Sequence, residues 1–437
     1  MMSKVYGIDL GTTNSLIGCY EDNYLSDLVP SCVDLETGNA GRDLYDNMKA
    51  ARSFKTDMSM GTEGDMPRVA SRYVLEELKR QVKEPVKDVV ISVPAYFTEN
   101  QRSATIESAK AAGLNVLNLV NEPTAAAMYI ARKKKGLFVV YDLGGGTFDV
   151  SIIDSRFGTF DVQATDGRVI GGDNFDHNIM KYLMKNGKIP VQSMNADRVK
   201  LLTHFASKQK VQMQKLKAPF VIDLHDFGGE SVMFTPDDYE VLMKMTFSDT
   251  INCMTKLIKK WIPETEVYDI LLVGGSTHCP YLRKWIASET GIEPAPLTYD
   301  PDRVVAQGAS LYADIANRGE LGQSVSDVTT ALSIALHDGT SSNIVQANSK
   351  IPLSVEKIFT NSTEASKLQL ALYQGDNMWT KDNYYIGELV WDYGTVKPAN
   401  SGQVIVQIDI DINGVIKFSA HELLKEPKTI ILNRKDD

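Results

Sequence analysis

Two patterns of apolar residues divide the chain. Up to about residue 317, short apolar runs alternate with segments whose apolar positions recur at helical spacing. This alternation predicts an α/β architecture with largely buried sheets. The predicted strands include residues 5–10, 86–93, 138–143 and 270–273, and the predicted helices include residues 68–82, 101–112, 124–134 and 281–289.

After residue 319 the apolar positions follow a period of two. Apolar and other residues alternate from Leu368 to Leu372 and again from Val404 to Ile412. That period is typical of a strand with one buried face. Asn413-Gly414 follows, a dipeptide that favours a hairpin. We therefore predict an antiparallel β-domain here, joined to the first part by the polar, glycine-containing segment 319–329.

One strand pattern occurs twice in the first part. The run Val5-Tyr-Gly-Ile-Asp9-Leu-Gly-Thr-Thr13 resembles Val139-Val-Tyr-Asp142-Leu-Gly-Gly-Gly-Thr147. In both, an apolar strand ends in Asp, a turn of Gly and Thr follows, and a second apolar strand begins. The duplication predicts two lobes that face each other across a cleft.

Glycine-rich turns of this kind are suited to phosphate. Several backbone N–H groups point into one concavity when no Cβ atom stands in the way. Asp9 and Asp142, just before the turns, would face a magnesium ion through its water ligands.

The segment Val273-Gly274-Gly275-Ser276-Thr277 also follows a predicted strand and lets backbone approach an adenine or ribose. A single turn would fit a structural hairpin equally well, but three such elements favour a nucleotide site. The P-loop pattern is missing, so a P-loop enzyme is excluded.

Composition argues against several other classes of protein function and location. The net charge of −10 argues against a broad nucleic-acid surface, which needs clustered Lys and Arg. The four cysteines form no Cys-x-x-Cys pair, which favours free thiols in a reducing compartment. No apolar run approaches membrane-spanning length, and we expect neither a membrane partner nor a secretory signal. The expected location is the cytoplasm.

The phosphate and adenosine elements resemble those of the actin, hexokinase and heat-shock ATPase superfamily. Within it, further motifs are similar to the seventy-kilodalton heat-shock (DnaK-type) chaperone family. They are Gly7-Ile-Asp-Leu-Gly-Thr-Thr-Asn-Ser15, Val90-Ile-Ser-Val-Pro-Ala-Tyr-Phe97, Asn121-Glu-Pro-Thr-Ala-Ala-Ala127, Asp142-Leu-Gly-Gly-Gly-Thr-Phe-Asp-Val150, Gly171-Gly-Asp-Asn-Phe-Asp176, Gly274-Gly-Ser-Thr277, Tyr373-Gln-Gly-Asp376 and 408–420. The resemblance runs in order over nearly the whole chain. It implies a two-lobed actin-like ATPase domain over residues 1–318, a linker over 319–329, and an antiparallel β-sandwich that binds peptides over 330–437.

The resemblance also implies roles for individual residues. Phosphate transfer is assigned to Asp9, Lys55, Glu122, Asp142 and Thr147, with Lys55 positioning the attacking water. Nucleotide binding is assigned to Gly11, Thr12, Thr13, Asn14, Gly144, Gly145, Gly146, Gly171, Gly172, Lys210, Gly274, Gly275, Ser276, His278 and Asp302. Asp9, Asp142 and Asp149 surround the magnesium ion and the potassium ions that this family uses. Phe359, Leu368 and Leu370 match the pocket that receives an aliphatic side chain of the peptide.

The function implied is that of an ATP-dependent chaperone. It would hydrolyse ATP and bind extended apolar segments of unfolded clients, in protein folding and the stress response. A J-domain co-chaperone and a nucleotide-exchange factor are the implied partners. Asn118 replaces an arginine associated with J-domain docking, however, which leaves that partner open. The sequence ends at Asp437, soon after the last predicted strand, so the expected form has no helical lid, although a fragment of a longer protein would look the same.

Three departures from the family bear on the nucleotide. His278 and Thr56 stand where arginine is common, and the helix that carries Lys210 lacks the family's acidic and arginine neighbours. Losing planar guanidinium groups predicts weaker nucleotide binding. A module that senses nucleotide with weak or no turnover is therefore the main alternative. A sugar or glycerol kinase and an actin-like filament protein share the superfamily fold but do not explain Lys55 together with the β-domain.

Overall fold

The computed structural model describes residues 4–47, 49–58 and 65–422. The elements of its first lobe (residues 4–131) are β1 (Val5–Leu10), β2 (Asn14–Cys19), β3 (Tyr24–Leu25), β4 (Val29–Pro30), α1 (Met66–Arg80), β5 (Asp88–Val93), α2 (Glu99–Ala111), β6 (Asn115–Asn121) and α3 (Glu122–Ala131). The sheet has the order β3-β2-β1-β5-β6, and β4 pairs with β2. β1 lies antiparallel to β2 and parallel to β5.

The second lobe (residues 137–317) repeats this arrangement. Its elements are β7 (Leu137–Leu143), β8 (Phe148–Asp154), β9 (Phe160–Arg168), α4 (Gly172–Asn186), α5 (Ala196–Leu216), β10 (Phe220–Ile222), β11 (Val232–Phe234), α6 (Pro236–Trp261), β12 (Asp269–Val273), α7 (Pro280–Thr290) and α8 (Val304–Asn317). β7 lies antiparallel to β8 and parallel to β12, as β1 does to β2 and β5. The internal repeat in the sequence thus corresponds to a repeated strand arrangement.

Helices α3 and α8 fill the space between the two sheets. One apolar cluster contains residues of both helices together with residues of β1, β5, β7 and β12. Close packing here requires glycine, since a Cβ on Gly308 would lie 1.8 Å from the carbonyl oxygen of Ala125. A Cβ on Gly7 would likewise lie 2.1 Å from the backbone nitrogen of Ser310. The central helices are therefore fixed against each other and against β1.

The rest of the described chain is mainly antiparallel sheet. Its elements are α9 (Leu321–Ser324), β13 (Val325–Thr329), β14 (Leu332–Ala335), β15 (Ser341–Val345), β16 (Ser349–Ile351), β17 (Leu353–Thr360), β18 (Ala365–Gln374), β19 (Tyr384–Lys397), β20 (Gln403–Ile410) and β21 (Ile416–Glu422). Two sheets, β15-β14-β18-β19 and β17-β20-β21, contribute to one apolar core. Residues 411–415 join β20 to β21, with Gly414 at φ 74°, so the hairpin predicted at Asn413-Gly414 is confirmed.

The segment predicted as a linker contains regular structure. β13 pairs in parallel with β9 of the second lobe and antiparallel with β16, so one sheet continues from β12 to β16. Asn121 donates a hydrogen bond from Nδ2 to Oδ2 of Asp327 in β13, at 2.9 Å. The hairpin residue Asn413 accepts hydrogen bonds at Oδ1 from Asn118 Nδ2 and from the backbone N–H of Leu119. These contacts join the β-rich part to the first lobe.

The alternation of strands and helices predicted for the first part is confirmed as mixed sheets covered by helices. Several predicted boundaries differ from those in the structure, and the difference is largest at the end of α3. The helix predicted over 124–134 ends at Ala131, and the lysines after it lie in an irregular segment. There the Lys134 ammonium pairs with Asp269, and Lys135 lies over the ring of Phe160.

Candidate functional site

The two glycine turns predicted from the repeat lie against each other at the junction of the lobes. A Cβ on Gly145 would lie 2.1 Å from Thr13 Oγ1, and a Cβ on Gly146 would lie 3.1 Å from Thr12 Cγ2. The turn after β7 is closed by a hydrogen bond from the Gly144 N–H to the Thr147 carbonyl, at 3.0 Å. The backbone of the second turn and the threonine side chains of the first therefore meet where the two lobes join, and such turns are suited to phosphate.

The first turn is fixed from behind by two serines. The backbone N–H of Gly11 donates to Ser15 Oγ at 3.1 Å, and the Ser31 hydroxyl donates to the Gly11 carbonyl at 2.7 Å. The two hydroxyl oxygens lie 2.9 Å apart. Asn14 begins β2 and pairs with Pro30, so it anchors the turn to β4.

Carboxylates gather beneath the two turns. Burial and the nearby Glu122 carboxylate raise the pKa of Asp9 to about 7, and the same two causes raise that of Asp149 to about 7. The pKa of Asp142 lies well above its ordinary value because the group is buried among Glu122, Asp149 and Asp9. The Asp142 Oδ2 atom is buried and has no hydrogen-bond partner in the described part of the chain. Buried carboxylates with an unpartnered oxygen fit a hydrated cation.

A buried ion pair lies beside this cluster. Lys55 Nζ donates to Glu122 Oε1 at 2.6 Å, and only 3% of the lysine side chain is exposed. The ammonium also lies 5.5 Å from the centre of the Phe97 ring. Lys55 belongs to a 3₁₀ turn, Phe54–Asp57, and Glu122 begins α3, so the pair joins two elements of the first lobe.

The adenosine turn predicted after β12 contacts the second phosphate turn. Gly274 has φ 83°, and a Cβ there would lie 2.4 Å from the Leu143 carbonyl oxygen. The Ser276 hydroxyl donates to the Gly144 carbonyl at 2.8 Å. The Gly172 N–H donates to that same carbonyl at 3.0 Å, and a Cβ on Gly171 would lie 2.3 Å from the Gly145 carbonyl oxygen. The predicted glycine turns of the second lobe thus form one continuous surface.

His278 and Asp302 form the outer edge of the adenosine turn. His278 Nε2 lies 3.0 Å from Asp302 Oδ2, a contact that raises the pKa of the imidazole. A Cβ on Gly275 would lie 2.6 Å from Asp302 Oδ1, so the carboxylate packs directly over that turn. The structure therefore brings these predicted nucleotide residues together.

Lys210 reaches the same surface from α5. Its Nζ lies 3.3 Å from the Gly172 carbonyl and 2.7 Å from Asp176 Oδ1. The acidic neighbour missing from its own helix is thus supplied by α4. Burial raises the pKa of Asp176 to about 6 despite the nearby ammonium.

Some contacts of the site were not assigned from the sequence. Ser92 Oγ donates to Asp9 Oδ1 at 2.8 Å, and the Tyr96 backbone N–H donates to Asp149 Oδ1 at 2.9 Å. Phe97 lies under Lys55. All three belong to the motif 90–97, and Asp176 belongs to the motif 171–176. These family motifs were therefore the sequence signal for the four residues, although a motif does not indicate which of its atoms contact the site.

The three predicted peptide-binding residues belong to the apolar core of the β-rich part. Leu370 is 1% exposed and lies opposite Leu389, whereas Phe359 and Leu368 are partly buried and pack against the core from two different sheets. The geometry thus distinguishes Leu370, which is enclosed, from the other two, which retain accessible surface.

Comparison with known proteins agrees with this arrangement. A family model described as Hsp70 protein matches residues 55–436. The chaperone protein DnaK of Mycoplasma mobile is 31% identical over 464 aligned positions, which cover 95% of this chain and 76% of the relative. None of the helices among the described residues is both long and apolar enough to cross a membrane.

Proposed function

The chain belongs to the Hsp70 family, and from this premise we propose that it is a chaperone that hydrolyses ATP and binds extended apolar segments of unfolded proteins. Family membership supports a chaperone function and an actin-like ATPase fold. The observation that carries the proposal is the apposition of the two glycine turns above Asp9, Asp142 and the Lys55–Glu122 pair.

The nucleotide would lie between the lobes with its phosphates on the two turns. The Gly11–Thr13 turn and the Gly144–Thr147 turn would hold the phosphates from opposite sides through N–H groups and hydroxyls. The adenosine would rest on Gly274–Ser276, between Lys210 and His278. Phosphoryl transfer depends mainly on positioning and on charge neutralisation, and both are features of this cleft.

The carboxylate cluster fits magnesium held through water. Asp9, Asp142 and Asp149 would hold the ion, which when bound neutralises charge on the phosphates. The same carboxylates would also lie near potassium ions, as the resemblance to the family implies. Because the pKa values of Asp9 and Asp149 are raised to about 7, each carboxyl is largely protonated only below neutral pH when no cation compensates its charge.

Lys55 is the residue assigned to the attacking water. The Glu122 carboxylate holds the lysine in place through a charge-assisted hydrogen bond of 2.6 Å within a buried site. From this position Nζ would donate hydrogen bonds to the water and to the γ-phosphate. Phe97 limits the remaining freedom of the side chain and excludes solvent from one side.

The proposed peptide-binding β-sandwich spans residues 330–437, of which 423–437 lie outside the described residues, after an ATPase domain over 1–318 and a linker over 319–329. The shared core of the two antiparallel sheets supports the sandwich assignment. Leu368 and Phe359, being partly buried, are the better candidates for contact with a client side chain. Unfolded clients and co-chaperones follow from the family, and the neutral Asn118–Asn413 contact leaves J-domain docking as an open part of the proposal.

The test combines turnover with chaperone activity in one preparation. Phosphate release is measured with and without magnesium, and aggregation of a denatured client protein is followed by light scattering with ATP and with ADP. We expect magnesium-dependent hydrolysis and nucleotide-dependent suppression of aggregation. Nucleotide binding without turnover would instead favour a nucleotide sensor, and failure in both assays would overturn the proposal.

A further inference from the structure

One lysine spans the gap between the two sheets of the β-rich part. Lys357 lies in β17 opposite Val406, which is enclosed in the apolar core, so the stem of the lysine is directed between the sheets. Its Nζ donates hydrogen bonds to Ser342 Oγ and to the Asn343 carbonyl, both at 2.9 Å. Both acceptors lie in β15, on the other sheet. The ammonium is therefore held at the open edge between the sheets.

This ammonium is exposed and has no carboxylate partner in the part of the chain that the structure describes. Ser342 and Asn343 are neutral, and the ion pairs of the described residues do not include Lys357. The preceding Glu356 lies opposite Gln407 on the outer side of β17, because successive side chains of a strand point to opposite faces. An ammonium has three N–H donors, of which the two neutral acceptors use two. One donor and the positive charge remain for a ligand.

The lysine next to Leu368 is in a different situation. Lys367 precedes that leucine in β18, and its side chain points to the outer face of the sheet. There it pairs with Asp392, with 3.5 Å between the charged atoms. The charge of Lys367 is thus compensated and faces away from the core, whereas that of Lys357 is uncompensated at the edge of the core.

Lys357 lies beside a side chain proposed to contact clients. Its Nζ is 6.0 Å from the centre of the Phe359 ring, which is partly buried against the same core. In an extended peptide, residues two positions apart share a face and are separated by roughly 6.6 Å. When an apolar client side chain packs against Phe359, the client residue two positions away therefore falls at the distance of the ammonium.

We propose that Lys357 selects client segments that carry Asp or Glu two positions from the apolar residue packed against Phe359. The inference rests on the proposed peptide-binding function and names the class of segment that this site prefers. The client carboxylate would accept the remaining N–H of the ammonium in a charge-assisted hydrogen bond. A client lysine at that position would meet a like charge. Complementary charge at the rim of an interface gives specificity more than affinity, so Lys357 would discriminate among segments that are already apolar enough to bind.

The expected selectivity is moderate because the ammonium is exposed. Exposed charge pairs change an equilibrium by about twofold to fivefold, and less at high salt. A peptide with Glu at these positions should bind tighter by that factor than the same peptide with Gln, and the version with Lys should bind weaker by a similar factor. Lys357→Gln should bind the three peptides with nearly equal affinity, and Lys357→Glu should reverse their order.

The experiment follows the fluorescence anisotropy of labelled peptides with the full chain in the presence of ADP, at low and at high salt. Each peptide has three central leucines flanked on both sides by Glu, Gln or Lys, which places the flanking residues two positions from the middle leucine. A fourth peptide carries its two Glu residues at its ends and has the same net charge as the first. A preference for the first peptide over the fourth therefore reports a local contact and not the overall charge.

Lys417→Gln is the matched control, since Lys417 is exposed and lies opposite Asp409 on the outer face of β21. It removes the same charge as Lys357→Gln and should keep the preference of the unmodified protein. Lys357→Arg should also keep it, because a guanidinium supplies a charged donor at the same place. Urea unfolding establishes which variants are folded, and the preference should diminish at high salt.

The outcomes separate this inference from the function it rests on. If the unmodified protein binds all four peptides equally, the role of Lys357 is overturned and the proposed function stands. A preference that persists in folded Lys357→Gln or Lys357→Glu would also overturn it, because another group would then be the cause. If both of these variants unfold, equal affinity of Lys357→Arg for the first and fourth peptides would overturn it instead. If the unmodified protein binds none of the peptides, the proposed peptide binding fails and this inference with it.

Discussion

Lys55 and Glu122 form a buried ion pair, with Nζ 2.6 Å from Oε1, although 67 positions separate them in the chain. The pair connects the short turn Phe54–Asp57 with the first residue of α3, directly beside Asp9 and Asp142. A lysine enclosed in this way has little freedom, so its ammonium points to a defined place in the cleft. The role proposed for Lys55, to position an attacking water, depends on a donor that is fixed in this way.

Replacing Lys55 with alanine should abolish most turnover while nucleotide still binds. Loss of a single positioned donor lowers the rate of the chemical step by roughly a hundredfold or more, whereas the phosphate turns remain intact. Phosphate release under single-turnover conditions and calorimetric binding of ATP measure the two effects separately. Lys188→Ala is the control, being an exposed lysine in a surface ion pair. Turnover equal to that of the control would remove Lys55 from the mechanism.

The carboxylate cluster predicts an unusual dependence of stability on pH. An unfolded aspartate loses its proton near pH 4, but folded Asp149 keeps it up to about pH 7. The folded state therefore binds more protons between these values, and its stability falls as the pH rises through this window. Asp149→Asn removes the titrating group and keeps an oxygen that can accept the Tyr96 N–H.

Relative to the unmodified protein, the asparagine variant should become more stable by about 2–3 kcal/mol as the pH rises from 5 to 8. Urea unfolding without magnesium, potassium or nucleotide gives this difference directly. Asp226→Asn, at an exposed position, should follow the unmodified protein at both pH values. A constant difference between Asp149→Asn and the unmodified protein would show that Asp149 titrates as an ordinary carboxylate.

Nucleotide affinity should respond to the residue at position 278. The imidazole of His278 contacts Asp302 at the edge of the adenosine turn. In His278→Arg, a guanidinium could keep that carboxylate as partner and add a planar surface for the base. The expected gain is about 1 kcal/mol, or roughly fivefold in affinity for ADP by calorimetry. His225→Arg, at an exposed site beside Asp223, is the control, and an equal affinity for both variants would exclude position 278 from base contact.

Local sequence predicted the turns of the site better than its long-range contacts. Each aspartate, its glycine turn and the flanking strands lie within about fifteen residues, so their pattern is visible without knowledge of the packing. The contact of the Ser53 hydroxyl with Asp173 joins residues 120 positions apart, across the two lobes. It depends on how the lobes close, which no local pattern contains. The same holds for the contact of Lys208 with Asp46, and for Lys210, whose acidic partner comes from a different helix.

In the β-rich part, the local pattern itself was too coarse to distinguish neighbouring core residues. Alternation predicted that Leu368 and Leu370 share one face of a strand, and both do pack toward the apolar core. The period of two gave no means of telling which of them is enclosed. On the partner strand, Leu370 lies opposite Leu389 and Leu368 lies opposite Trp391, yet only Leu370 is fully enclosed.

Leu370→Ala and Leu368→Ala should therefore have different effects. Removing the enclosed Leu370 leaves a cavity and should cost about 2–5 kcal/mol of stability. Leu368→Ala should leave the fold nearly intact and weaken peptide binding by roughly tenfold, since a partly buried leucine contributes about 1.5 kcal/mol to a contact with a client side chain. Fluorescence anisotropy with a labelled peptide that has a central run of leucines measures binding, and urea unfolding measures stability.

Val396→Ala is the matched control, because this exposed aliphatic residue of β19 lies outside the core. A stable Leu368→Ala protein that binds the peptide as tightly as Val396→Ala would move the client site away from β18. If Leu370→Ala stayed fully stable and lost binding, the enclosed position would have to open toward the client, and the core assignment would fail. The expected pattern, with stability lost at one leucine and affinity at the other, follows from a difference in burial between two residues that the sequence pattern treats alike.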